Sequence, residues 1–399
     1  MNVNVFGPDS YKDYANKIIA RKINKKDVDV RHVKNGLICS HQKHSVMGVY
    51  DAENNFVSQS NLIIGTGAHK SKIKAGRNVE YNECDVLFLG DLHWHFGHFL
   101  LEHTNRMWAI EHFKDKVHKF VFVYSALLKE LPGWFYDFME MSGVDKDRVL
   151  ILDRDVRFRT VIVPDCACNN NSASNQWVQT FQNMAKNTKD FDCCEKVYLS
   201  RSALDKRRTF GELQIQRIFE RNGFCIICPE KYTLLQQVGM IKNARILAGC
   251  AGTALHLALF MKPGGRLIQI KRNSVTVDNL ESQYLINSLC ELDTDVVCAS
   301  VEREPTEHFS SAPQIIGVND YMAEFFKQNK FQYSKLDLKP KYVEEQEYLA
   351  QLQQYKTKWG SVRANKIRNR LIKYSSCLIP SRKLRSKYRN YMKAKFVAR

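Results

Sequence analysis

Short apolar runs alternate with polar segments along this chain, in a pattern that is mixed at first and cleaner in its second half. From the start to about residue 185 the apolar runs are short. The stretches Ile38–Tyr50, Asn61–Gly65, Asp85–Leu89, Phe120–Tyr124 and Val149–Leu152 predict strands. Phe99–His112 predicts a helix, as does Lys129–Met141 beyond Pro132. The polar run Asn169–Asn175 predicts a turn-rich loop, and residues up to about Asp192 a hinge.

From Lys196 the pattern becomes regular. Strands are predicted at Val197–Leu199, Phe224–Cys228, Arg245–Ala248, Arg266–Ile270 and Asp295–Ala299. Helices are predicted between them at Phe210–Asn222, Thr233–Ala244, Thr253–Met261 and Asn279–Leu292, with Thr233 as a cap. Strands and helices alternating over short connections indicate a parallel, doubly wound sheet. The expected units are 1–185, 193–310 and an extension, 311–399.

Charge changes the picture only at the end. The formal net charge is +18, yet no Asp or Glu occurs from Leu349 onward, against fifteen Lys and Arg from Lys356 to Arg399. In Arg363–Leu378, Ile367, Leu371, Tyr374 and Leu378 share one stripe, beside Arg363, Lys366, Arg370 and Lys373. This predicts a basic amphipathic extension for an anionic membrane surface. The competing class, a nucleic-acid binder with a basic arm, is disfavoured because the tail aromatics form no RNA-binding motif. No apolar run approaches the roughly 18 residues of a membrane span. A polar N-terminus lacks a signal-peptide core, so a cytoplasmic protein is expected, its twelve cysteines read as buried thiols.

Three segments carry candidate chemistry. In Gly90–Arg106, residues His98, Glu102 and Arg106 fall four apart and would share a helix face, a candidate acid–base unit with either His98 or Glu102 as base. Asp91 before them reads as a turn or cap residue. After Val197–Leu199, the loop Ser200–Arg208 brings Arg201, Lys206, Arg207 and Arg208 to a strand's carboxyl end, where open α/β sheets bind ligands. Four cations there suit a diphosphate. After Arg245–Ala248, small residues lead to Gly252, Thr253 and Ala254, where backbone can approach phosphate and Thr253 opens a helix. Asp153-Arg154-Asp155 matches a metal-binding triplet, but no metal is expected there or at the cysteines.

The run Tyr198-Leu199-Ser200-Arg201, then Arg207-Arg208, Glu212, Gly223-Phe224, Pro229-Glu230, Gln236-Gln237, Ala244, Gly249–Leu255 and Leu259-Phe260-Met261 resembles glycosyltransferase family 61, the type found in capsular polysaccharide biosynthesis. The segment His95–Glu102 resembles that family's N-terminal motif, with His95 where an Asn is expected. Ala251-Gly252-Thr253-Ala254-Leu255 stands where many members carry His-Gly-Ala-Gly-Leu. The resemblance spans about residues 85–270. It implies a GT-B fold, two Rossmann-like domains facing a central cleft. It also implies inverting, metal-independent transfer from a nucleotide sugar to a glycan or lipid-linked glycan, with no further cofactor. Arg201, Arg207, Gly252, Thr253 and Ala254 would then hold the donor and Glu230 its ribose, while His98 and Glu102 face the acceptor.

Overall fold

The structure, a computed structural model, describes residues 1–40, 47–61, 73, 79–92, 95–123, 130–169, 171–192, 194–204, 209–273, 280–302, 312–334 and 343–358. Two six-stranded sheets organise them. The strands are β1 (Val3–Phe6), β2 (Val30–Cys39), β3 (Gly48–Tyr50), β4 (Glu80–Asp91), β5 (Lys119–Val123), β6 (Val149–Leu152) and β7 (Val156–Pro164). They continue with β8 (Lys196–Leu199), β9 (Cys225–Ile227), β10 (Ile246–Cys250), β11 (Arg266–Lys271) and β12 (Asp293–Cys298).

The first sheet has the order β3-β2-β7-β4-β5-β6, parallel from β7 to β6 and antiparallel where β2 meets β3 and β7. The expected strand Ile38–Tyr50 is thus two antiparallel strands, Leu37 facing Tyr50. Asn61 is described, but the rest of the expected strand Asn61–Gly65 lies outside the described residues.

The second sheet is parallel throughout, in the order β1-β12-β11-β10-β8-β9. Its central strands are covered on both faces, which is why Ile246-Leu247-Ala248-Gly249-Cys250 is nearly continuous in apolar and small residues. The chain leaves β8 in one direction to β9, then returns past it to β10. The resulting crevice, between the carboxyl ends of β8 and β10, is where such sheets bind ligands. In the first sheet the same reversal separates β4 from β7.

Sequence expectation and structure part at several places. β1 pairs with β12, and α1 (Asp9–Ile19) packs under the same sheet, so residues 3–19 lie with the half expected to begin at 193. Within the segment expected as a hinge, residues 175–187 form a helix. Ser174 caps α3 (Asn175–Asn187), accepting from the Gln176 amide, and Trp177, Phe181 and Met184 recur on its buried face. The asparagine-rich turn is therefore the approach to a helix start.

α2 (Gly133–Met141), α3 and the 3-10 segment Thr253–Phe260 meet in one core that draws on both halves. Phe181 lies 5.4 Å from Phe260 and Phe138 lies 6.4 Å from it, both edge-on. Asp137 of α2 accepts from the Leu234 amide, at the start of helix α5 (Leu234–Ile241), whose capping box uses Thr233 and Gln236.

Two cysteines expected as thiols, Cys194 and Cys225, form a disulfide that joins the approach to β8 with β9. Asp155 of the candidate metal triplet accepts from the Ser40 amide, so that carboxylate is used in joining two loops. A helix over 343–358 packs Tyr348 and Leu352 on Phe210 and Ile315. The expected basic helix Arg363–Leu378 lies outside the described residues. Among the described residues, no helix is long and apolar enough to cross a membrane.

Candidate active site at the junction of the two sheets

The carboxyl end of β4 leads into the histidine turn. The expected helix Phe99–His112 is broken here: a helical turn at Phe96–His98 passes into a π-turn at Phe99–His103, then a 3-10 turn at Met107–Ala109 and a short helix at Ile110–Phe113. Tertiary bonds pull the backbone out of regular register. His103 Nδ1 donates to the Asp91 carbonyl at 2.7 Å, with the Asp91 carboxylate 3.2 Å away. Thr104 Oγ1 donates to the Leu100 carbonyl and accepts from Trp177.

Arg106 is drawn furthest. It is buried, and its guanidinium donates to the carbonyls of Gln59, Asn61 and Pro164. The triad of His98, Glu102 and Arg106 on one face is accordingly reduced to a pair. His98 Nδ1 and Glu102 Oε1 lie 2.9 Å apart. Because a carboxylate can only accept, Nδ1 carries the proton of a neutral ring and Nε2 the lone pair. The second carboxylate oxygen of Glu102 is buried, with no partner among the described residues. The His95 ring stands edge-on to His98 at 5.0 Å, and burial together with the neighbouring His98 lowers its pKa.

On the other side, the loop after β8 is anchored to helix α4 (Glu212–Arg221). Ser200 and Ser202 share the Gln216 side-chain oxygen, at 2.8 and 3.2 Å, and Glu212 accepts from the Arg201 amide at 3.0 Å. Glu212 is fully buried and also accepts from Tyr198 at 3.4 Å. Burial pushes its carboxyl pKa up, against the opposing pull of Arg201 and Arg272. Arg207, with Lys206 and Arg208, lies outside the described residues.

The loop after β10 reaches Gly252 at φ +153°, and a Cβ there would meet Arg201 Nη1 at 3.2 Å. A side chain there would crowd that guanidinium by a few tenths of an ångström, and the positive φ itself favours glycine. The expected helix Thr253–Met261 is a 3-10 helix, Thr253–Phe260, so its end charge comes from a less regular amide array than an α-helix provides. The amides of Thr253 and Ala254 precede its first turn bond, Leu255 N to Gly252 O at 3.1 Å.

The two candidate segments meet where Gly97 packs on Thr253. A Cβ on Gly97 would lie 2.9 Å from Thr253 Oγ1 and 3.1 Å from its Cγ2. Side chains three apart on a 3-10 helix eclipse one another, so His256 lies on the face that carries Thr253. It bonds Gln283 at 3.0 Å, and burial holds its pKa down to about 4, with the charges of His95 and His98 adding to the effect.

The structure therefore brings His98, Glu102, Arg201, Gly252, Thr253 and Ala254 to one junction. Glu230 stands apart. It is exposed beyond the edge strand β9 and makes no hydrogen bond or ion pair with that group among the described residues. Sequence reasoning missed His256 and Arg272, although Arg272 immediately follows β11 and was open to the same strand-end rule that found Arg201. Two surface pockets lie elsewhere. One, of about 260 Å³, runs between Trp108 and Met184, and the other, of about 480 Å³, lies at the amino ends of β8, β10 and β11. Neither includes a residue of the junction.

No curated protein matches this chain. The family model described as Glycosyltransferase 61 matches residues 96–268, from within the histidine turn into β11, a span that includes His98, Glu102, Arg201 and Gly252–Ala254. It bears out, over this part of the chain, the resemblance to glycosyltransferase family 61 seen in the motifs.

Proposed function

We propose that this protein transfers a sugar from a nucleotide-sugar donor to a glycan or lipid-linked acceptor, with inversion, without a metal and in a GT-B arrangement. The observation that carries the reading is the packing of Gly97 on Thr253, which sets the His98–Glu102 pair beside the arginine-lined loop. The donor's diphosphate lies on Arg201 and the amides of Thr253 and Ala254. The acceptor hydroxyl faces His98. Its Nε2 takes the hydroxyl proton as the oxygen attacks the anomeric carbon. The bond from that carbon to the diphosphate breaks, and the leaving group's charge is met by Arg201. Glu102 holds the His98 tautomer and stabilises the imidazolium that results. His98 is preferred to Glu102 as the base because one Glu102 oxygen is bonded to it and the other is buried.

The same reading places the protein at the cytoplasmic face of a membrane, building a cell-surface polysaccharide. Its support is the acid-free basic extension beyond Leu349. A thermal-shift screen against UDP, GDP, CMP and dTDP and their sugars, with and without EDTA, tests it. Stabilisation by one nucleotide family, unaffected by EDTA, is expected. Stabilisation that disappears with EDTA overturns the metal-free mechanism, and no stabilisation by any of them overturns the donor site.

A further inference from the structure

We infer that Arg272 is a second diphosphate-binding arginine, acting with Arg201 across Gly252 on the phosphates of a nucleoside diphosphate. This rests on the donor-site reading above and adds a residue that neither the motif resemblance nor the loop analysis supplies.

Arg272 follows β11, the strand next to β10, and so stands at the carboxyl edge of the sheet beside the crevice. Measured from the position a Cβ would take on Gly252, Arg201 Nη1 lies 3.2 Å away and Arg272 Nη2 3.9 Å away. Two guanidinium groups from different strands therefore converge on one stretch of bare backbone. Arg272 Nη1 donates to Thr209 Oγ1 at 3.0 Å, which helps to set the plane of the fork. Its Nε is buried and has no acceptor among the described residues. The neighbouring Lys271 is committed elsewhere, donating to Asn273 and standing over the Tyr11 ring. Arg272 is thus singled out from the short basic run.

Among the described residues, the two arginines are coupled to each other and to one buried carboxylate. The carboxylate coupled to both arginines is Glu212, and burial disfavours its ionised form. Burial and the nearby Arg201 bring the Arg272 pKa down to about 10, so its charge too is held at a penalty. Like charges are kept close only where something else repays the repulsion. A diphosphate does so, since its several anionic oxygens accept from two forks at once.

The test is calorimetric titration of the full chain with inorganic pyrophosphate, UDP, GDP and dTDP, alongside melting of the ligand-free protein. Arg272→Gln, Arg272→Lys and Arg201→Ala are compared with the parent. Arg272→Gln is expected to weaken pyrophosphate and the preferred nucleotide by about 10- to 100-fold, the loss of charge-assisted bonds. Its ligand-free melting temperature should be no lower than the parent's, because a repulsion has been removed. Arg272→Lys, which keeps charge but not the fork, should fall between the two.

Parental affinity in Arg272→Gln, with binding lost in Arg201→Ala, overturns the role of Arg272 and leaves the donor site standing. If Arg272→Gln melts early and Arg272→Lys binds as the parent does, the arginine is structural and the inference fails. If neither pyrophosphate nor any nucleoside diphosphate binds the parent, the donor-site reading falls and this inference with it.

Discussion

Gly97 and Thr253 touch so closely that a methyl group on Gly97 would overlap the threonine hydroxyl, 2.9 Å from where its Cβ would be. One residue belongs to the histidine turn after the first sheet, the other to the loop after the crevice strand of the second. Gly97→Ala should therefore displace one segment against the other. We expect a loss of about 1–3 kcal/mol in urea unfolding, the usual penalty of overpacking. Thr253→Ala in the same chain should restore most of it. Additive losses in that double-mutant cycle would disprove the contact.

The His98–Glu102 pair should matter for turnover and not for donor binding. His98→Ala should abolish release of nucleoside diphosphate from the sugar donor, and Glu102→Gln should slow it by about 10²- to 10⁴-fold. Both should retain parental nucleotide affinity, whereas Arg201→Ala should lose it. Parental turnover in His98→Ala would remove the pair from the mechanism.

His256 makes stability depend on pH in a stated direction. Its pKa in the fold is about 4, below the ordinary value of 6.5, so the unfolded chain binds the extra proton between those values. Stability from this source is complete above about pH 6.5 and is lost as the pH falls towards 4. The full loss is about 3 kcal/mol. Denaturant midpoints at pH 7 and pH 5 should reveal about 2 kcal/mol of it, and His256→Asn should flatten that part of the slope.

The Cys194–Cys225 bridge encloses β8, the Arg201 loop and α4, with the two cysteines 31 residues apart. Closing a loop of that length stabilises by about 3–4 kcal/mol in the chain-entropy account. Reduction should lower the melting temperature of the parent and leave Cys194→Ser unchanged. Such bridges persist in oxidising surroundings and are rare in the cytoplasm, where the proposed function sets this protein. Alkylation before cell lysis, read by intact mass, should show two further thiols appearing only after reduction. Labelling at both without reduction would mean that the bridge does not form in the cell.

Phe260 lies between Phe138 and Phe181, which come from elements of the other half. Phe260→Ala should cost about 3–5 kcal/mol. Because the core is shared, both halves should unfold in one shifted transition. Two separate transitions in calorimetry would show that the halves fold independently.

Much of this was legible in the chain itself. The period of apolar residues from Lys196 onward determined a parallel sheet, because strands covered on both faces and the helices that cover them repeat in sequence. The strand-end rule then located Arg201 and Gly252, since loops at the carboxyl edge of such a sheet are local features. The i,i+4 spacing of His98 and Glu102 likewise survived, although the helix around them did not.

What the chain could not show were contacts between distant segments. Arg106 leaves the expected face because carbonyls of Gln59, Asn61 and Pro164 compete for its guanidinium. β1 crosses to the second sheet because a vacant edge beside β12 accepts its backbone bonds. Gly97 meets Thr253 only once both sheets share a core, and Arg272 joins Arg201 only once β8, β10 and β11 lie side by side in the second sheet. Local periodicity reports which face of an element is buried. Which neighbour buries it depends on packing and hydrogen bonding between residues far apart in sequence, and these are decided only when the whole chain has folded.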